Sequence, residues 1–123
     1  MGMQLKECGF ETISKAIEDG SSLVIDVRQP EELIEMGKIE GAINIPLDQV
    51  EDALGPDVTN EEFKKLYSVD KPDKNTPIIF TCRSGRRSGI AQKQAINLGF
   101  TNVTNYIGGW LDWASKFNKT DTY

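Results

Sequence analysis

An α/β domain built on a largely parallel sheet is predicted by three observations. Four short apolar or β-branched runs recur along the chain, stretches with helical spacing lie between them, and 123 residues that are 38% hydrophobic and 27% charged suit one globular domain. In chain order, Met3 to Lys6 adds an edge strand. Glu11 to Glu18 carries Ile13, Ala16 and Ile17 at helical spacing, and Leu23 to Val27 reads as a buried strand. Pro30 to Met36 opens with proline and two glutamates, both suited to a first helical turn. Ala42 to Ile45 is the next strand. Asp48 to Leu54 forms a short helix ended by Gly55-Pro56, and Thr59-Asn60-Glu61-Glu62 is a capping pattern for a helix over Phe63 to Tyr67.

Asp70 to Thr76, with Pro72 and no apolar residue, is a surface loop leading into the strand Pro77 to Thr81. Gly89 to Leu98 follows as a helix with Ile90, Ala91, Ala95, Ile96 and Leu98 on an apolar stripe. Val103 to Asn105 is a short strand, Trp110 to Phe117 a last helix, and Asn118 to Tyr123 a polar, frayed tail. The expected organisation is a single domain over 1–123, with its core from about 8 to 117.

Composition removes several classes of function. No apolar run approaches the roughly 18 residues of a membrane span. The stretch Met1 to Gly9 lacks the charged head and apolar run of a secretory signal, and Lys6 stands where a myristoylation pattern needs Ser or Thr. An intracellular, cytoplasmic protein is expected, in which the sequons at Asn102 and Asn118 are ordinary polar residues and Cys8 and Cys82 are free thiols. With no histidine, the chain supplies no Ser/His/Asp or Cys/His arrangement, and two thiols are too few for a usual zinc site. A net charge of −5 argues against broad nucleic-acid binding.

The chemistry concentrates in Thr81-Cys82-Arg83-Ser84-Gly85-Arg86-Arg87-Ser88-Gly89, between a strand and a helix. In an open α/β sheet that junction faces the carboxyl ends of the strands, and the helix N-terminus offers unpaired N–H groups to an anion. Three of the four arginines, Arg83, Arg86 and Arg87, lie within five residues of Cys82, so guanidinium and N–H groups are expected to stabilise its thiolate without a histidine base. Cys8 has no neighbouring cation and is expected to pack or face solvent.

The chain resembles the rhodanese-type sulfurtransferases. The likeness runs from about Cys8 to Phe117 and rests on Val24-Ile25-Asp26-Val27-Arg28, on Gly37-Lys38-Ile39-Glu40-Gly41-Ala42-Ile43-Asn44-Ile45-Pro46, on Cys82 to Ser88, and on Gly108-Gly109-Trp110, in that order. It implies a rhodanese-like fold with helices on both faces of the sheet and no cofactor. It further implies that Cys82 accepts sulfur from thiosulfate as a persulfide, cradled by Arg83, Ser84, Gly85, Arg86 and Arg87. Glutathione or another small thiol, or cyanide, then takes the sulfur in a ping-pong cycle. A protein persulfide or thioredoxin is a further partner the resemblance allows, which makes a sulfur carrier module the alternative reading. A noncatalytic interaction module is disfavoured because Cys82 and its arginines are present.

Cysteine-dependent phosphatases and arsenate reductases use Cys, five residues, then Arg. Here Arg87 falls one place short and Ser88 takes that position, so the cradle looks too small for phosphate. Asp26 and Arg28 read as an ion pair at a strand end. Trp110 and Trp113 read as core residues, with Trp110 able to flank the pocket. Lys38 departs from the family pattern, which commonly has histidine there.

Overall fold

The computed structural model describes residues 5–118. Five strands, β1 (Lys6–Cys8), β2 (Leu23–Asp26), β3 (Ile43–Asn44), β4 (Ile78–Thr81) and β5 (Val103–Tyr106), form one sheet in the order β1-β5-β4-β2-β3 with every pairing parallel. Six helices connect or follow them: α1 (Phe10–Asp19), α2 (Pro30–Met36), α3 (Leu47–Leu54), α4 (Asn60–Tyr67), α5 (Arg86–Asn97) and α6 (Gly109–Asn118). Strands of a parallel sheet covered on both faces are apolar throughout rather than alternating. In β4, Ile78, Ile79, Phe80 and Thr81 are all buried.

Two cores result, one on each face of the sheet. Ile25, Val27, Ile78 and Phe80 point toward Val50, Leu54, Phe63, Ala91 and Ala95 of α3, α4 and α5. On the opposite face Val24, Ile79 and Tyr106 meet Ile13 and Ala16 of α1, with Trp110 and Trp113 of α6. The helices therefore cover both faces, as expected. The chain leaves β2 for the edge strand β3 and leaves β4 for β5 on the other side, so the β2/β4 boundary is a topological switch point where loops diverge and a crevice opens. Asp26 ends β2 and Cys82 directly follows β4.

Three sequence expectations change. The edge strand is Lys6–Cys8, paired with Thr104–Tyr106, rather than Met3 to Lys6, whose first two residues lie outside the described part. Helix α5 starts at Arg86, three residues before the expected Gly89. Gly85 takes a left-handed φ of 93°, and a Cβ there would collide with the carbonyl of Ile107, so only glycine admits this entry into the helix. The buried face of α5 is Ser88, Ala91, Gln92 and Ala95, while Ile90 is 41% exposed. Two polar residues occupy the inward stripe, and an apolar count misses them. The polar tail from Lys119 onward lies outside the described residues.

Candidate active site

Cys82 directly follows β4 and is 1% exposed, with the turn Arg83 to Gly85 folded back onto its sulfur. The N–H of Gly85 donates to Cys82 Sγ at 3.1 Å, and Ser88 Oγ lies 3.2 Å from the same sulfur. Burial is the largest influence on the thiol and raises its pKa. Hydrogen bonds from the Ser88 hydroxyl and from the backbone N–H groups of Ser88, Ser84 and Gly85 together outweigh it, bringing Cys82 below its ordinary value. The helix N-terminus thus acts on sulfur through its unpaired N–H groups. Among the described residues both cysteines are free, and Cys8, half-buried and without such donors, is pushed up to about 11 by burial.

The arginines do not enclose the thiol as the sequence suggests. Arg87 donates through Nη1 and Nη2 to both carboxylate oxygens of Glu32 on α2, at 2.7 and 2.8 Å. Its fork is occupied, and its charge tethers the start of α5 to α2. The negative charge of Cys82 is only a lesser influence on Arg87, after Glu32. Arg83, Ser84 and Arg86 are exposed at the rim. Donation by backbone and Ser88, rather than a shell of guanidinium groups, stabilises the thiolate.

On the β2 side, Asp26 and Arg28 are buried together. Arg28 Nε lies 3.1 Å from both Asp26 oxygens and Nη2 reaches 2.8 Å from Oδ2 and 3.1 Å from the Gly37 carbonyl. The guanidinium carbon lies 5.0 Å from the Trp110 ring centroid. Trp113 instead packs in tilted contacts against Phe10 and Phe117. Lys38 is exposed.

The outer side of the loop is held by α6. The N–H groups of Trp110 and Leu111 donate to the carbonyls of Cys82 and Arg83 at 2.7 and 3.1 Å, so donors left open at the start of α6 are filled by the loop itself. This approach demands glycine at position 109, where φ is 60° and a Cβ would stand 2.5 Å from both carbonyl oxygens. The Rhodanese-like domain model matches residues 10–116. The chain belongs to the rhodanese family.

A rhodanese domain-containing protein of Drosophila melanogaster is 50% identical over 107 residues, covering 87% of this chain and 95% of its own length. The human thiosulfate:glutathione sulfurtransferase is 36% identical over 101 residues, covering 81% and 85%. Among solved structures, a human single-domain sulfurtransferase superposes with a TM-score of 0.83 at 32% identity, covering 92% of this rhodanese domain and 98% of that chain.

Two residues of this site escaped the sequence reading. In the sequence Glu32 marks only an acidic helix start, 55 residues from Arg87. Asn105, 6% exposed in β5, accepts from Ser88 Oγ at 2.6 Å and donates to the Gly85 carbonyl at 3.0 Å. A polar residue within a buried strand was the available signal, since such groups occur where they have partners.

Proposed function

We propose that this chain is a thiosulfate sulfurtransferase acting through a persulfide on Cys82, with a small thiol such as glutathione as acceptor. The observation that carries this reading is the thiol held at the α5 N-terminus by Gly85 N–H and the Ser88 hydroxyl, which together favour a thiolate with no histidine in the chain. The thiolate attacks the outer sulfur of thiosulfate, the S–S bond breaks, and its electron pair leaves with sulfite. Loop N–H groups and the exposed guanidinium groups of Arg83 and Arg86 steady the sulfonate. The acceptor thiolate then attacks the outer sulfur of the persulfide, returning Cys82 as thiolate and leaving the acceptor persulfide. A reducing cytoplasmic setting fits two free thiols, and one rhodanese domain over 1–123 completes the reading.

Incubation with thiosulfate, removal of small molecules and intact mass with site mapping tests this. One added sulfur on Cys82, removed by glutathione or cyanide, is the expected result, and Cys82→Ser abolishes it. An unmodified Cys82 after incubation with excess thiosulfate refutes the donor assignment. A second reading, a carrier loaded by a protein donor, is favoured by Ile107 and Leu111, each 49% exposed beside the loop, where the Leu111 N–H donates to the Arg83 carbonyl and the Ile107 carbonyl packs against Gly85. Faster loading from a protein persulfide than from thiosulfate would select it.

A further inference from the structure

Ser88 has one hydroxyl proton and two acceptors. Its Oγ lies 2.6 Å from Asn105 Oδ1 and 3.2 Å from Cys82 Sγ, and both Ser88 and Asn105 are buried. The Asn105 amide is oriented by its other end, because Nδ2 donates to the Gly85 carbonyl at 3.0 Å, so Oδ1 is the atom turned toward Ser88. With Cys82 neutral, the thiol donates to Ser88, Ser88 donates to Asn105, and every group in the chain is satisfied. With Cys82 ionised, the sulfur has no proton to give and demands one. Ser88 can supply it only by turning away from Asn105, which leaves a buried amide oxygen without its partner.

We propose that Asn105 is a positioning residue that draws Cys82 toward its neutral form by competing for the Ser88 proton, so that each ionisation of Cys82 is accompanied by rotation of that hydroxyl. The other charges around the pocket are accounted for separately. From β2, Asp26 is paired with Arg28; from α2 and α5, Glu32 is paired with Arg87; from α6, Asp112 bonds Tyr106 and Lys116; and Arg83 and Arg86 are exposed. Among the described residues none of these bonds Ser88 or Asn105.

Resting on the persulfide reading above, the switch would act twice per cycle. In the persulfide, Sγ is bonded to the outer sulfur and carries little charge, so the hydroxyl returns to Asn105. When the acceptor thiolate attacks the outer sulfur, the bond to Sγ breaks, its electron pair passes to Sγ, and Ser88 turns to meet it. Ser88 is spent on sulfur only when charge is there.

The test measures iodoacetamide alkylation of the full chain against pH, counted by intact mass, in a Cys8→Ser background so that only Cys82 reacts. This needs a thiol and no sulfurtransferase activity; thiosulfate loading, followed separately, reads the proposed function. Asn105→Ala is expected to lower the alkylation midpoint, with about threefold to tenfold more thiolate below it, the size expected for releasing one competing hydrogen bond. Ser88→Ala is expected to raise the midpoint, and the double variant to match Ser88→Ala alone. Asn105→Val, which lacks the acceptor but suits a strand, repeats the test with a different shape. In the unsubstituted chain the Asn105 side-chain amide nitrogen is expected to shift with the same midpoint as Cys82, an NMR readout that no folding defect can cloud. The proposal fails if the Asn105 variants raise the midpoint or leave it unchanged, since a mere prop under Gly85 would give that result. It also fails if they lower it equally without Ser88, or if the Asn105 amide does not move.

Discussion

Replacing Glu32 by Gln is expected to weaken the fold at neutral pH and to leave it unaffected in acid. The Arg87 hydrogen bonds hold the Glu32 carboxyl down from its usual 4.5 to about 2. Each pH unit of such displacement corresponds to about 1.4 kcal/mol between folded and unfolded states, so an unscreened pair would contribute roughly 3 kcal/mol. The two side chains are 25% and 31% exposed, and solvent screening reduces the figure to about 1–2 kcal/mol. A carboxyl whose folded value lies below its unfolded one stabilises fully above the unfolded value and loses that contribution as pH falls through the folded one. The difference between wild type and Glu32→Gln is therefore full at neutral pH, starts to close below 4.5 and vanishes near 2. For a chain of this size it corresponds to about 4–8 °C in Tm. Paired urea and thermal melts from neutral pH down to about pH 3 measure it. A constant gap across that range, or no gap at neutral pH, would refute the assignment of this ion pair as a stabilising tether.

Arg83→Ala and Arg86→Ala are each expected to raise the KM for thiosulfate about threefold to tenfold with little change in Tm, because these exposed cations neutralise a dianion without packing anything; steady-state kinetics at two salt concentrations reads this. Cys8→Ser is expected to leave thiosulfate loading unchanged, and intact mass after incubation checks it. Gly109→Ala forces a side chain into a positive φ and against two carbonyls, with an expected loss of about 2–4 kcal/mol in urea unfolding together with loss of sulfur loading.

The parallel strands and the Cys82 junction were legible because their signals are local. Pro77 to Thr81 is apolar on both faces, and Gly85 lies three residues after the cysteine, where a turn into a helix must pass. The start of α5 was not legible, since Arg86, Arg87 and Ser88 carry no apolar periodicity and Gly85 supplies the helix entry by conformation alone. The fate of the arginines was hidden for a different reason. Counting guanidinium groups near Cys82 in sequence says nothing of Glu32, which the fold brings from α2 to occupy Arg87. Asn105 reaches Ser88 across two elements, and its polarity inside β5 was the sole local trace of that contact.

The order of residues around Cys82 also bears on how the chain is made. Ser88, Asn105, Trp110 and Leu111, which bond Cys82, Ser88 or the loop carbonyls, all follow the nucleophile in the chain. During synthesis the thiol leaves the ribosome before the groups that bind it, and a chain stopped short of α6 carries the cysteine without the N–H groups that seat its loop. The donors to sulfur, Gly85 N–H and the Ser88 hydroxyl, are already present in such a chain, but the carbonyls of Cys82 and Arg83 gain their α6 partners only when Trp110 and Leu111 arrive, so the seat of the loop is completed last.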